Sequence, residues 1–426
     1  MEEYKYGLND KPTPIDMLLY GLQWFSITIP ALIILSGIVA GMHYNSEGMM
    51  IIYLQKAFFI TGLALILQIK FGHQMPIVIG PASVLLIGLM STQNLSASAS
   101  FTTIAIGGAL IFLLSYSKIF SKVQRVFTTR VVIVTLMLVA IGMMPLIISL
   151  SKGTNGKEFF NLSFVLILTL IMVVANHYLK GIGKSLVILL GMILGSVAYT
   201  FMAGSDPIGS SSEYSWGLLF SNFFITPEFN ISALIAFSFC FLALLINELG
   251  SLQAVGAFLK VDRIEERCQK GVRVGGLLNT LSGMMGMIGS LNFSMSPGII
   301  AATRAASKYP LILTGALLIL CAVIPQSLSI FSYIPTVIMG SSMFYIMCIQ
   351  LGAGFQLMVS KKAVIDFSTM ITISFPIIVS IFISFAPTEY KDAIPGILQP
   401  VLSNGFVMGI ISVLILDNLL CRDQKA

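Results

Sequence analysis

The chain has 426 residues, of which 56% are apolar and only 10% charged, and its mean hydropathy is +0.94. A soluble domain carries roughly a quarter charged residues, so this composition excludes a soluble enzyme or binding module. The net charge of +6 does not imply a nucleic-acid partner, because the basic residues fall in groups between apolar runs, where their neighbour is anionic membrane lipid.

In chain order, the sequence opens on a polar stretch, MEEYKYGLNDKPTPID, so no cleavable signal peptide is expected. Apolar runs of about twenty residues follow, the length a helix needs to cross roughly 30 Å of hydrocarbon. That layer holds no water to satisfy backbone N–H and C=O groups, so the runs are predicted to be helices. Fourteen spans are predicted, at 17–41, 51–69, 75–90, 101–117, 131–150, 162–179, 185–203, 231–259, 274–289, 291–306, 310–330, 335–358, 363–385 and 400–420. With both termini in the cytoplasm, every Lys and Arg except Lys56, Lys152, Lys157 and Lys391 falls on an inner loop or inner helix end. Lys118, Lys122, Arg125 and Arg130 follow the fourth span, and Lys260, Arg263, Arg267, Lys270 and Arg273 follow the eighth. The loop 204–230 has no basic residue and carries Asp206, Glu213 and Glu228, as an outer loop does. Cys240, Cys268, Cys321, Cys348 and Cys421 are scattered without metal-ligand spacing and read as small packing residues.

The third span (MPIVIGPASVLLIGLM) and the tenth (LNFSMSPGIIAATRAA) are short, and each meets a Gly-Pro or Ser-Pro step after about six residues. Proline suits the first turn of a helix and not its interior. Each segment is therefore predicted to enter extended, over 75–80 and 290–295, and to turn helical near Pro81 or Pro297 at mid-depth. Two such half-helices aim their positive ends at one point. Interrupted segments at matching places in two halves point to a transporter site. The two lie seven spans apart, so the fold class read here is an all-α polytopic membrane protein of fourteen transmembrane segments, a 7+7 inverted repeat with short strands in the third and tenth spans.

The candidate site residues gather around those breaks. Glu248 is the one acid placed well inside a predicted span, where such a group usually faces a cavity or a partner. It is the candidate carrier of a co-transported proton or sodium ion, or else a structural acid bonded to its neighbours. Asn247 offers a donor and an acceptor, which suits the edge of a heterocyclic base, or an interhelical hydrogen bond. Adjacent helical residues point about 100° apart, so a regular helix cannot aim both at one ligand edge. Ser83, Met295 and Ser296 stand at or beside the half-helix starts, where backbone N–H groups can hold an oxygen or an anion. Ser294 alternates with Asn292 on the extended part, and Phe293 offers a ring to stack or to pack. Gln23 bonds either the core or a neighbouring helix. Arg304, at the inner end of the tenth span, reads as a snorkelling residue.

Four segments resemble the nucleobase–ascorbate transporter family of uracil and xanthine permeases. YGLQWFSITIPALIILSGIVAG resembles its first span, with Trp24 in the place of a histidine. IPTVIMGSSMFYIMCIQLGAGFQLM and LQPVLSNGFVMGIISVLILDNLL resemble its twelfth and last spans. SPGIIAATR resembles its tenth-span motif, with Gly298, Thr303 and Arg304 in register, but Met295 and Ser296 occupy the Gln/Glu and Asn positions. In INELGSLQAVG, Asn247 stands where the family usually has glutamate.

The resemblance implies a secondary active permease for a nucleobase such as uracil, xanthine or another purine, driven by a proton or sodium gradient through alternating access. It implies a core domain from 1–125 and 206–330, a gate domain from 126–205 and 331–426, and a homodimer through the gate. It also implies a multi-pass protein of the bacterial inner membrane, with no cofactor beyond the co-transported H+ or Na+. Because both family carboxylates are missing from their places, an anion carrier of the same fold, sulfate-permease-like or urate-type, is the alternative. A membrane-embedded enzyme is disfavoured, since no His-Glu-x-x-His, Gly-x-Ser-x-Gly or paired intramembrane aspartate occurs.

Overall fold

A computed structural model describes residues 5–44, 46–117, 128–153, 156–179, 186–203, 223–293, 296, 299–300, 305–329, 334–364, 366–387, 389–390, 394 and 402–420. Eight of the described helical segments, with 129–152 taken as one, are long and apolar enough to cross a membrane, and three shorter apolar helices accompany them. Local sequence explains where several begin. Helix α1 (Pro14–His43) starts on a proline behind Thr13, whose hydroxyl accepts the Asp16 N–H. Helix α2 (Glu47–Lys70) is capped by Ser46 and α4 (Ala97–Leu114) by Ser96. Between them lie strand β1 (Ile79–Pro81) and the nine-residue helix α3 (Ser83–Ser91). At 1.5 Å per residue α3 spans about 13 Å, roughly half of a bilayer core.

The predicted fifth span is not one helix. It breaks at Met143 into α5 (Thr129–Gly142) and α6 (Met144–Lys152), because Pro145 restarts the helix at its own first turn. Helices α7 (Glu158–Tyr178), α8 (Val187–Ala203) and α9 (Ile231–Leu259) follow the expected spans closely. Helix α10 (Ile264–Met284) does not: it begins ten residues before the predicted 274. Its first turns, IEERCQKGVR, are helical but polar, so hydropathy alone misses them. Strand β2 (Ser290–Asn292) comes next, and Ser296, Ile299 and Ile300 are helical, whereas Ala305, at the inner end of the predicted tenth span, forms a bridge to Tyr6; residues 294–295, 297–298 and 301–304 of that span lie outside the described residues. The eleventh span divides into α11 (Pro310–Val323) and α12 (Pro325–Ser329). Helices α13 (Thr336–Ser360), α14 (Phe367–Ser384) and α15 (Gly405–Leu420) complete the described chain.

The two strands pair with each other, antiparallel, with Ile79 opposite Asn292, Gly80 opposite Leu291 and Pro81 opposite Ser290. Ala82 N donates to Gly289 O and Phe293 N to Val78 O, each at 2.8 Å, which extends the ladder at both ends. All six strand residues are buried. Extended backbone at membrane depth must find its hydrogen bonds inside the protein, and here the third and tenth spans supply them to one another.

Helices pack most closely where glycine removes the side chain. Gly62 of α2 meets Gly315 of α11, and a Cβ on Gly62 would stand 2.5 Å from the Gly315 carbonyl oxygen. Gly276 of α10 meets α4 in the same way, 2.5 Å from Phe112 N. Such backbone approaches are the main source of packing between helices in lipid. A second group forms around α13, which packs on α5, α6 and α7, and around α14, which packs on α15 and α5. Arg130 Nε and Asp417 Oδ1 lie 2.8 Å apart between α5 and α15, with Thr128 donating to the same carboxylate at 3.0 Å.

Candidate functional site

Helix α9 brings Asn247 and Glu248 beside the strand pair, and the helical 100° step sends them different ways. Glu248 is 2% exposed and turns toward β2 and α10. Its Oε1 accepts from Asn292 Nδ2 at 3.1 Å. Behind it lies Gly275, where a Cβ would stand only 2.7 Å from Oε1, so the glycine gives the carboxyl its space. Among the described residues Glu248 has no ion-pair partner. An unpaired buried carboxylate is costly, so this carboxyl is suited to take up a cation reversibly.

Asn247 keeps 6% exposure and makes no side-chain hydrogen bond among the described residues. Its amide is available to a bound group. Gln23 on α1, which packs against β1, is similarly placed: its Nε2 is buried without a partner among the described residues. Ser83 is the first residue of α3, and the preceding Ala82 provides no capping side chain. The leading N–H groups of α3 therefore lack the usual cap.

Phe293, expected to stack or to pack, is half-buried with its ring against β1. A Cβ on Gly80 would stand 2.6 Å from Phe293 Cζ, so glycine is required at that point. Ser296 is fully buried, and its hydroxyl accepts from Val78 N and donates to Phe293 O, each at 3.0 Å. It staples the approach to β1 onto the start of the tenth-span helix. Ser294, Met295, Gly298, Thr303 and Arg304 lie outside the described residues.

Asn292, which alternates with Ser294 on the extended part, carries the bond to Glu248, and two further groups that sequence reasoning did not select belong to this assembly. Asn279 of α10 accepts the Ser290 N–H at 2.6 Å and so anchors β2; the signal was a lone asparagine in an apolar span. Lys56, an exception to the charge pattern, donates to Met285 O at 3.1 Å, the carbonyl that ends α10. A cavity of about 290 Å³ between Tyr53, Lys56, Ser98 and Thr226 takes in none of the predicted site residues.

Residues 16–389 match the model of a family described as the Permease family. The putative purine permease YwdJ of Bacillus subtilis is 26% identical over 430 residues, covering 96% of this chain and 97% of the relative. The uric acid permease PucK of the same organism is 25% identical over 366 residues, 83% of this chain and 84% of the relative. The nucleobase transporter PlUacP of Paenibacillus larvae is 22% identical over 377 residues, 85% of each. Among solved structures, the transmembrane domain of the cyanobacterial bicarbonate transporter BicA aligns with a TM-score of 0.60 at 13% identity, covering 97% of this chain and 99% of that one. The murine Solute Carrier 26 member A9 anion transporter, inward-facing, aligns at 0.64 and 11%, covering 98% and 69%. These two establish a shared fold.

Proposed function

This chain belongs to the Permease family, and from that premise we propose that it carries a nucleobase, uracil or a purine such as xanthine, across a membrane by secondary active transport. It is a multi-pass membrane transporter and not an enzyme. The observation that carries the substrate class is the family match over residues 16–389, with relatives named for nucleobases, xanthine, uracil and uric acid along most of their lengths. The anion-carrier alternative has only fold-level likeness behind it, at 11–13% identity, and is not favoured.

In this reading the base lies between the start of α3 and the start of the tenth-span helix. Asn247 reads its polar edge, Gln23 and Ser83 assist, and Glu248 carries the coupling proton or sodium ion. The pairing of β1 with β2 supports that placement, since it holds the two half-helix starts together. The fourteen-span, 7+7 architecture is supported by a correspondence in packing. The Gly62–Gly315 contact joins the second and eleventh spans, and the Gly108–Gly276 contact joins the fourth and ninth, which a seven-span repeat would interchange. Spans 1–4 and 8–11 make the moving core, 5–7 and 12–14 make the gate and the homodimer contact, and both termini face the cytoplasm of a bacterial inner membrane. Reconstitution into vesicles tests the whole reading. Labelled uracil, xanthine, hypoxanthine or urate should accumulate when an inward proton or sodium gradient is imposed. Uptake of none of them under either gradient refutes it.

A further inference from the structure

Lys56 sits inside an apolar span, about 14 Å along α2 from its start at 1.5 Å per residue, and it is 7% exposed. A buried ionisable group at membrane depth marks a function or a fixed partner. Its bond to Met285 O, at 3.1 Å, is one such partner and closes the end of α10. That bond does not explain the space beside the ammonium. Lys56 forms part of the wall of the cavity of about 290 Å³ described above, in which no acidic side chain takes part among the described residues.

The rest of the wall combines rings with hydroxyls. Tyr44 and Tyr53 present two rings with centroids 6.0 Å apart, tilted by 48°. Tyr44, Ser98 and Thr226 make no side-chain hydrogen bond among the described residues, so each hydroxyl has a proton to donate. The Tyr53 oxygen accepts the Ile288 N–H at 3.0 Å, which leaves its own proton to donate as well. The segment that carries Thr226 is fixed in place. Ile225 N donates to Met284 O at 2.9 Å and Glu228 N to Thr102 Oγ1 at 3.0 Å, and the Ser96 hydroxyl donates to the Glu228 carboxylate. The cavity is thus built into the end of the bundle that carries residues 204–230, the outer end in the topology proposed above. Met285 and Ile288 lie on the segment that leads from α10 into β2, so the cavity adjoins the approach to the half-helix site.

One chemistry fits all of these groups. An ammonium favours a negative charge, hydroxyl donors favour carbonyl oxygens, and tyrosine rings favour a flat face. Pockets for drug-sized ligands run from about 300 to 1,000 Å³, so this one has room for a single two-ring heterocycle. We propose that the cavity is a second ligand site, which takes an oxopurine in its anionic form. The class of ligand rests on the nucleobase reading above. Urate is largely a monoanion at neutral pH and uracil is neutral, so charge separates the two as probes.

The test uses purified protein carrying Phe224→Cys in a background without native cysteines. Phe224 lines the cavity and is 55% exposed, so a small water-soluble thiol reagent reaches it. Urate at about ten times its Kd should slow the labelling by about tenfold, because only the empty cavity reacts; uracil should leave it unchanged. Lys56→Gln keeps a donor for Met285 O but no charge, and should raise the urate concentration that half-protects by about tenfold or more. Protection should survive Asn247→Ala, which weakens the transport site instead. No protection by urate, equal protection by uracil, an unchanged half-protecting concentration in Lys56→Gln, or protection lost in Asn247→Ala each overturns the proposal. If Lys56→Gln does not fold, Ser98→Ala should raise the same concentration by about threefold to tenfold, and no change there overturns it too. Vesicle uptake separates this site from the transport reading. Uptake of no base under either gradient, with urate still protecting through Lys56, defeats the transport reading and supports the site, whereas uptake without protection defeats the site alone.

Discussion

Replacing Glu248 by glutamine separates coupling from binding, because glutamine keeps the shape and the oxygen but cannot exchange a proton. The hydrogen bond from Asn292 Nδ2, 3.1 Å long, can be retained by the glutamine oxygen. It changes from a bond of ~1.5–3 kcal/mol to a charged group into a neutral one of ~0.5–1.5 kcal/mol. The loss of about 1 kcal/mol is a factor of roughly five in any equilibrium that depends on it. Gly275 offers the same space to an amide as to a carboxyl, so the helices need not move. Accumulation, by contrast, rests entirely on the cation. One proton per substrate across one pH unit stores about 1.4 kcal/mol, a tenfold gradient of substrate. A potential of 100 mV adds about 2.3 kcal/mol. In vesicles energised this way, wild-type protein should concentrate the base by a few hundredfold, while Glu248→Gln should stop at equal concentrations inside and out. Counterflow exchange in the variant should persist within about fivefold of wild type. A Glu248→Gln protein that still concentrates substrate would show that this carboxyl only packs, and that coupling resides elsewhere.

Truncating Asn247 to alanine should weaken binding by up to about tenfold, or reorder the preference among uracil, xanthine and urate, while gradient-driven uptake continues; unchanged competition by all three would remove Asn247 from the site. Gly276→Leu, whose side chain meets the α4 backbone, should prevent that helix pair from closing and lower thermal stability in detergent by several degrees; an unshifted melting curve would contradict the close approach. Arg130→Met leaves Asp417, 1% exposed, without its guanidinium, and about 3–5 kcal/mol of stability should go with it, read as a lower melting temperature that Asp417→Leu in the same protein partly restores. Cysteines introduced at Ser211 and at the exposed Glu265, in a background without native cysteines, should label from opposite sides of the membrane; same-side labelling rules out the fourteen-span topology.

The sequence by itself determined the class of this protein, because the bilayer is a severe solvent. Runs of apolar residues such as 231–259 have to be helices there, and α9 occupies that range. It also determined where regular structure fails: the prolines at 81 and 297 announce breaks that no apolar helix would otherwise contain, and the described residues 79–81 and 290–292 of those two spans are extended. The motifs SPGIIAATR and LQPVLSNG pointed to the family that residues 16–389 match. Hydropathy failed where helix and membrane part company, as in the polar first turns of α10 and the proline restart within 129–152. What only the tertiary structure decided is who faces whom. Asn247 and Glu248 are neighbours in the chain, and nothing local says which of them meets Asn292. The answer depends on Gly275 leaving room for a carboxyl and on β2 being pinned by Asn279, some thirty to forty residues away. His73 likewise looks like a span-end histidine until folding buries it, with its Nδ1 accepting the Met75 N–H. Long-range contacts of this kind leave no period or spacing in the sequence. They arise because each buried polar atom must find a partner wherever the packed helices happen to bring one.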